Sequence, residues 1–115
     1  MYKILHNSRC GKSRDAIKVL EDSQVEFEVR EYLKDELSFD ELSLIIKNLK
    51  VNPIDVVRTN EAIWKENFKD KSLSDDQLIQ AMIDNPKLIQ RPIVLKDNSG
   101  VIGRPIENVI EFIKK

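Results

Sequence analysis

Residues Arg91 to Ile110 read RPIVLKDNSGVIGRPIENVI, and this stretch decides the fold. Pro92–Leu95 and Val101–Gly103 are short β-prone runs on either side of Asn98-Ser99-Gly100, which has turn composition. Two such runs so close together are expected to pair as an antiparallel β-hairpin. Pro105 suits the first turn of a helix, and Ile106, Val109, Ile110 and Ile113 then recur along one side of it. The C-terminal part therefore reads as ββα.

The opening of the chain supplies the complementary half. Tyr2–His6 is a short strand-like run, Ala16, Ile17 and Leu20 fall at helical spacing between about Gly11 and Asp22, and Val25, Phe27 and Val29 alternate with charged residues. That is a β-α-β unit, whose strands are expected to lie parallel with a right-handed crossover. The middle is helical. Ser38 with Glu41 and Ser74 with Gln77 have capping-box spacing, each ahead of an apolar stripe. Asn52-Pro53 opens a short helical turn, Thr59-Asn60 are cap candidates for a segment carrying Trp64 and Phe68, and Asn85-Pro86 stops the last of these helices. The expectation is an α/β, thioredoxin-like fold: a four-stranded mixed sheet (βαβ … ββα) in one domain over 1–115, with a helical insertion at about 36–88.

Composition narrows the function classes. The 115 residues are 41% hydrophobic, which is enough for a single core, and the net charge of −1 gives no general attraction to nucleic acid or acidic membranes. No stretch approaches the roughly 20 apolar residues of a membrane span, and the first residues do not read as a signal peptide. One cysteine permits neither an internal disulfide nor a cysteine-rich metal site, so no metal is expected. A free thiol fits a reducing cytoplasm, the expected location.

That cysteine lies in HNSRCGKSR, residues His6 to Arg14, together with the only histidine. If the first strand ends near His6 and the helix begins near Gly11, Cys10 sits at a helix N-terminus. Unpaired N–H groups and the positive end of the helix dipole there favour thiolate over thiol. Ser13 is placed to turn its hydroxyl to the sulfur, or is a plain helix-start residue. His6, Arg9, Lys12 and Arg14 are candidate local positive charges. The competing reading is an inert buried cysteine, against which the polar flanks NSR and GKS speak.

Arg58, Arg91 and Arg104 each lie at a junction between elements, two of them directly before a proline. A residue before proline is pushed out of helical geometry, so these side chains sit at loop ends. The guanidinium fork matches a tetrahedral oxyanion and keeps its charge at any useful pH. Each arginine could instead be a surface group paired with one of the acidic side chains.

HNSRCGKSR, followed in order by VVRTNE, IQRPIV and IGRPIENV, resembles the glutaredoxin-coupled arsenate reductases, a branch of the thioredoxin-fold superfamily. The similarity runs from about Tyr2 to the last helix. The resemblance implies an oxidoreductase of arsenic detoxification in which the Cys10 thiolate attacks arsenate. It implies that His6 helps lower the cysteine pKa, unless it only caps the strand, and that Ser13 hydrogen-bonds the thiolate. Arg58, Arg91 and Arg104 would hold the oxyanion; Asn7, Gly11, Lys12 and Pro92, a cis-proline, would complete the active-site loops. No bound cofactor is implied: glutathione is the co-substrate and glutaredoxin the partner of a monomer that binds neither nucleic acid nor membrane.

The chain also leaves the family pattern. Ser8 and Arg9 stand where the best-known members carry a proline and a small residue, and Lys12 replaces a small polar residue. These changes add charge beside the pocket; they tighten anion binding, or they suit a different anion or a different thiol partner. Two other functions share the fold. One is a glutathione-dependent thiol-disulfide reductase. The other is a non-enzymatic Spx-like regulator, which CGKS disfavours because a two-cysteine switch cannot form.

Overall fold

Alternating and periodic apolar residues become elements in the order the sequence leads one to expect. A computed structural model describes residues 1–114. Contacts divide the chain into two units, one made of Met1–Asp35 and the chain from Arg91 onward, the other of Glu36–Gln90.

The first unit is a mixed four-stranded sheet with two helices. Strand β1 (Tyr2–Leu5), helix α1 (Gly11–Asp22) and strand β2 (Phe27–Arg30) form the opening crossover. Strands β3 (Ile93–Lys96) and β4 (Ser99–Ile102) form the hairpin. The sheet order is β2-β1-β3-β4; β1 pairs parallel with β2, and the other two pairings are antiparallel. On one face Tyr2, Ile4 and Val94 pack with Ala16 and Leu20 of α1 and with Val109 of the last helix, which spans Glu107–Lys114. Periods of two in the strands and 3.6 in the helices place these side chains on a common surface, where their burial drives the packing.

Three local expectations are corrected. The hairpin turn is Asp97-Asn98, not Asn98-Ser99-Gly100: Asp97 takes a left-handed φ of 55°, which aspartate tolerates, while Ser99 and Gly100 pair within β4 opposite Lys96 and Leu95. Val29 is 45% exposed although it alternates correctly; it lies on the edge strand β2. Pro105 does not start the last helix; the Arg104–Pro105 bond is cis and the helix begins two residues later.

The second unit is helical. Helix α2 (Phe39–Leu49) starts on a complete Ser38/Glu41 capping box, and α4 (Asp75–Asp84) starts on a Ser74/Gln77 box. Each cap satisfies helix-end donors and contributes about 1 kcal/mol. Between them lie a 3-10 turn at Pro53–Val56 and the short helix α3 (Ala62–Asn67). The residue capping α3 is Glu61, not Thr59 or Asn60, and its side chain makes no cap bond. A second 3-10 turn covers Pro86–Leu88, after which the helix from Glu107, numbered α5, closes the element order. Helices α2 and α4 pack together, and Leu42, Ile45, Ile46, Leu78, Ile79 and Met82 are buried. Among the described residues no helix is long and apolar enough to cross a membrane.

Gly103 marks where the hairpin closes on α5. Its N–H donates to the Pro92 carbonyl at 2.8 Å, and a Cβ there would stand 2.8 Å from both the Pro92 ring and a Val109 methyl. Neither neighbour is a flexible chain end. Gly103→Ala is therefore expected to destabilise the protein by about 1–3 kcal/mol, the ordinary cost of overpacking, seen as a lower urea midpoint. An unchanged midpoint would show that the contact relaxes freely.

Candidate active site

Strand direction brings the reactive side chains to one end of the sheet. In register, Leu5 lies beside Arg30 and Ile93, and Ile93 beside Ile102. The C-terminal ends of β1, β2 and β4 and the N-terminal end of β3 therefore share an edge. From that edge emerge the β1–α1 loop with Cys10, the segment Glu31-Tyr32 after β2, Arg91-Pro92 before β3, and Gly103-Arg104 after β4.

The cysteine loop is internally braced. Asn7 accepts the Cys10 N–H at its carbonyl (2.9 Å) and the Arg9 N–H at its side-chain oxygen (3.0 Å). Arg14 reaches back to the Ser8 carbonyl at 3.1 Å. Cys10 itself is the N-cap of α1, with extended backbone (φ −99°, ψ 119°), and its carbonyl accepts the Arg14 N–H. The thiol is half-buried and free. A Cβ on Gly11 would make only ordinary contact with Arg14, so this glycine is not required sterically.

Ser13 is fully buried, and its hydroxyl faces the strand side. Its Oγ lies 2.9 Å from His6 Nδ1 and accepts the Asn7 N–H at 3.1 Å. The group that Ser13 presents to the sulfur is its backbone N–H. His6 is likewise not a positive charge near neutral pH. Burial pushes its pKa below the ordinary imidazole value, the Glu31 carboxylate opposes this, and the Arg14 charge adds to it. His6 and Ser13 thus form a neutral buried pair that fixes the loop against the start of α1.

Arg91 and Arg104, both in the sheet unit, meet the sulfur. Arg104 Nη2 is 3.5 Å from Cys10 Sγ, and its Nε donates to the Arg91 carbonyl at 2.6 Å, tying both junctions together. Arg91 stands beside Cys10 and Tyr32. Burial alone would lower its pKa, but Cys10 and Tyr32 outweigh that, so it stays protonated. Its Nε and Nη1 are nevertheless buried without a hydrogen-bond partner. An orphaned pair of charged donors is costly unless something fills it. The Arg91–Pro92 peptide bond, like Arg104–Pro105, is cis. Arg58 lies in the helical unit, where its Nη1 is 2.5 Å from Glu61 Oε1 and its N–H donates to the Leu88 carbonyl. Its guanidinium is part-buried and ion-paired to that carboxylate within the helical unit.

Electrostatics at Cys10 follow from these contacts. Burial pushes the thiol up; the Ser13 N–H, the Arg91 guanidinium and the Lys12 N–H outweigh it, and the thiol ends below its ordinary value. Chemically this is a nucleophilic sulfur beside two cations, one with unfilled donors. Tyr32, almost wholly buried, and Glu31 were not singled out from sequence. Their only sequence signal is position: they directly follow β2, at the sheet end that carries Cys10. Among the described residues no three His, Cys, Asp or Glu side chains gather where they could hold a metal.

Alkylation of Cys10 by iodoacetamide, followed against pH, is expected to reach half its maximal rate below the ordinary thiol pKa of about 8.5. Arg91→Ala should move that midpoint upward, because a cation and a donor to the sulfur are lost. A midpoint at or above the ordinary value in the unmodified protein would contradict the activated thiol.

Comparison with known proteins agrees with this architecture. Residues 5–112 match the ArsC family. The chain is 44% identical over 113 residues to the uncharacterized protein YfgD of Escherichia coli K12, covering 96% of this chain and 95% of that one. It is 37% identical over 109 residues to an arsenate reductase of Neisseria meningitidis, covering 93% of each. A solved arsenate reductase from Vibrio cholerae superposes with a TM-score of 0.90 at 39% identity, over 96% of this chain and 95% of that one.

Proposed function

Because the chain belongs to the ArsC family, we propose that it is an arsenate reductase in which the Cys10 thiolate is the nucleophile. The observation that carries this reading is the pair of buried, unpartnered donors on Arg91 next to the sulfur, with Arg104 in contact with it. A tetrahedral oxyanion satisfies such donors two at a time and neutralises two adjacent cations. Arsenate is such an anion, and its arsenic is an electrophile for sulfur. Relatives named arsenate reductases support the same substrate.

The proposed chemistry follows from one cysteine. Cys10 Sγ attacks arsenic and an arsenate oxygen leaves, protonated, as water, giving a sulfur–arsenic(V) adduct. Arg91 and Arg104 hold the remaining oxygens and balance their charge as the bond forms. The chain holds no second thiol, so the two electrons come from outside. Glutathione displaces a second oxygen of the adduct as water. A glutaredoxin thiolate then attacks the glutathione sulfur, and the arsenic–sulfur bond to glutathione breaks with its electron pair left on arsenic, now As(III). A second glutathione reduces the resulting glutaredoxin–glutathione disulfide by thiol–disulfide exchange. In sum, arsenate and two glutathiones become arsenite, glutathione disulfide and water. Arsenite leaves Cys10 by hydrolysis of the last sulfur–arsenic bond, returning the thiolate. A cytoplasmic setting, where glutathione is abundant and reduced, suits this cycle.

The test is arsenate turnover with glutathione, glutaredoxin and a coupled readout of glutathione disulfide. Turnover is expected in the unmodified protein. Cys10→Ser should abolish it, and Arg91→Ala should lower kcat/KM by about tenfold to a hundredfold, the loss of one to two charge-assisted hydrogen bonds. A folded protein that reduces a small disulfide but not arsenate, with Arg91→Ala unaffected, would replace this reading with a thiol-disulfide reductase.

A further inference from the structure

The segment flanking Cys10 carries more positive charge than contacts the sulfur. Arg14 is bound to the Ser8 carbonyl, and Arg91 and Arg104 face the sulfur. Arg9 and Lys12 are different. Both are exposed, both flank Cys10 within two residues, and among the described residues neither makes an ion pair or a side-chain hydrogen bond. Between Arg9 and Lys18 four basic residues face a single acidic one, Asp15, in a chain whose net charge is −1.

We propose that Arg9 and Lys12 form a cationic rim that selects an anionic, carboxylate-bearing thiol as the electron donor over neutral or cationic thiols. This rests on the reading that Cys10 is the reacting sulfur. The donor must approach Cys10 from solvent, because no second cysteine exists. It gives up two electrons per cycle as two thiols join in one disulfide, and their protons leave in the water formed from the arsenate oxygen. Once an oxyanion occupies Arg91 and Arg104, those charges are largely neutralised, so the exposed charges of Arg9 and Lys12, with that of Arg14, remain on the chain flanking Cys10. Opposite charge raises the local concentration of the donor and its encounter rate, and salt weakens both. The backbone N–H groups that stabilise the thiolate are untouched by side-chain changes at these positions.

The experiment compares the rates at which Cys10 is alkylated by iodoacetate, which is anionic, and by iodoacetamide, which is neutral and of nearly the same size. The ratio cancels any change in thiolate fraction. At low ionic strength the ratio is expected to fall by about threefold or more in the Arg9→Ala/Lys12→Ala protein, and to fall in the unmodified protein as salt is added. Arg9→Glu/Lys12→Glu should lower it further. With arsenate turnover as the second readout, the double alanine variant should raise KM for glutathione by more than it changes that for 2-mercaptoethanol. A ratio that is insensitive to both variants and to salt overturns the rim. Because alkylation needs no arsenate, a protein inactive on arsenate but with a rim-dependent ratio would refute the substrate and keep the rim. Normal turnover with a flat ratio would refute the rim alone.

Discussion

A sulfur half withdrawn from water does not keep a negative charge unless its surroundings supply one of opposite sign. At Cys10 that balance is struck between desolvation, which favours the neutral thiol, and a small set of donors, which favour thiolate. The donors are the N–H groups at the start of α1 and the guanidinium of Arg91, with Arg104 in contact. The pairing works in both directions, since the thiolate also makes a buried guanidinium tolerable. Remove either partner and the other is left as an isolated charge in a poorly solvated place.

The fold meets this constraint through strand direction more than through any local motif. A parallel crossover sends the ends of β1 and β2 to one edge of the sheet, and an antiparallel hairpin returns β3 and β4 so that their open ends lie at the same edge. Residues ninety-four positions apart, Cys10 and Arg104, meet for that reason. Gly103 has no room for a side chain because the backbone beside Arg104 runs tight against Pro92. The Arg104 side chain then braces the Arg91 carbonyl, so the two guanidiniums hold one another in register. Supporting bonds from Asn7, Ser13 and His6 fix the cysteine loop in the same way, as neutral braces and not as charges.

Much of this was legible in the sequence. Alternation and helical spacing located the strands and the larger helices, because burial on one face imposes those periods directly. Both serine capping boxes were readable, since a cap is a local interaction between residues three apart. Turn position was less legible: Asn98-Ser99-Gly100 has turn composition, yet register with β3 places the turn one residue earlier, at Asp97-Asn98. At the site, Cys10, Arg91 and Arg104 stood out by residue type and by their place at junctions. The direction of the Ser13 hydroxyl did not, because its choice between sulfur and imidazole depends on His6 being buried beside it. Nor did the neutrality of His6 or the closeness of Tyr32 to Arg91, which come from burial that no short window of sequence encodes. Arg58 was legible as a junction arginine, but its ion pair with Glu61, three residues on, was not.

The central claim is that the unfilled donors of Arg91, with Arg104 and the Cys10 sulfur, form a site for a tetrahedral oxyanion. Crystals soaked in arsenate, with the anomalous signal of arsenic used to locate it, test this most directly. The account predicts an arsenic peak beside Cys10 Sγ, with its oxygens on Arg91 Nε and Nη1 and on the Arg104 guanidinium. Ordered water or a protein acceptor on those nitrogens at saturating arsenate, with no arsenic peak near the sulfur, would contradict it.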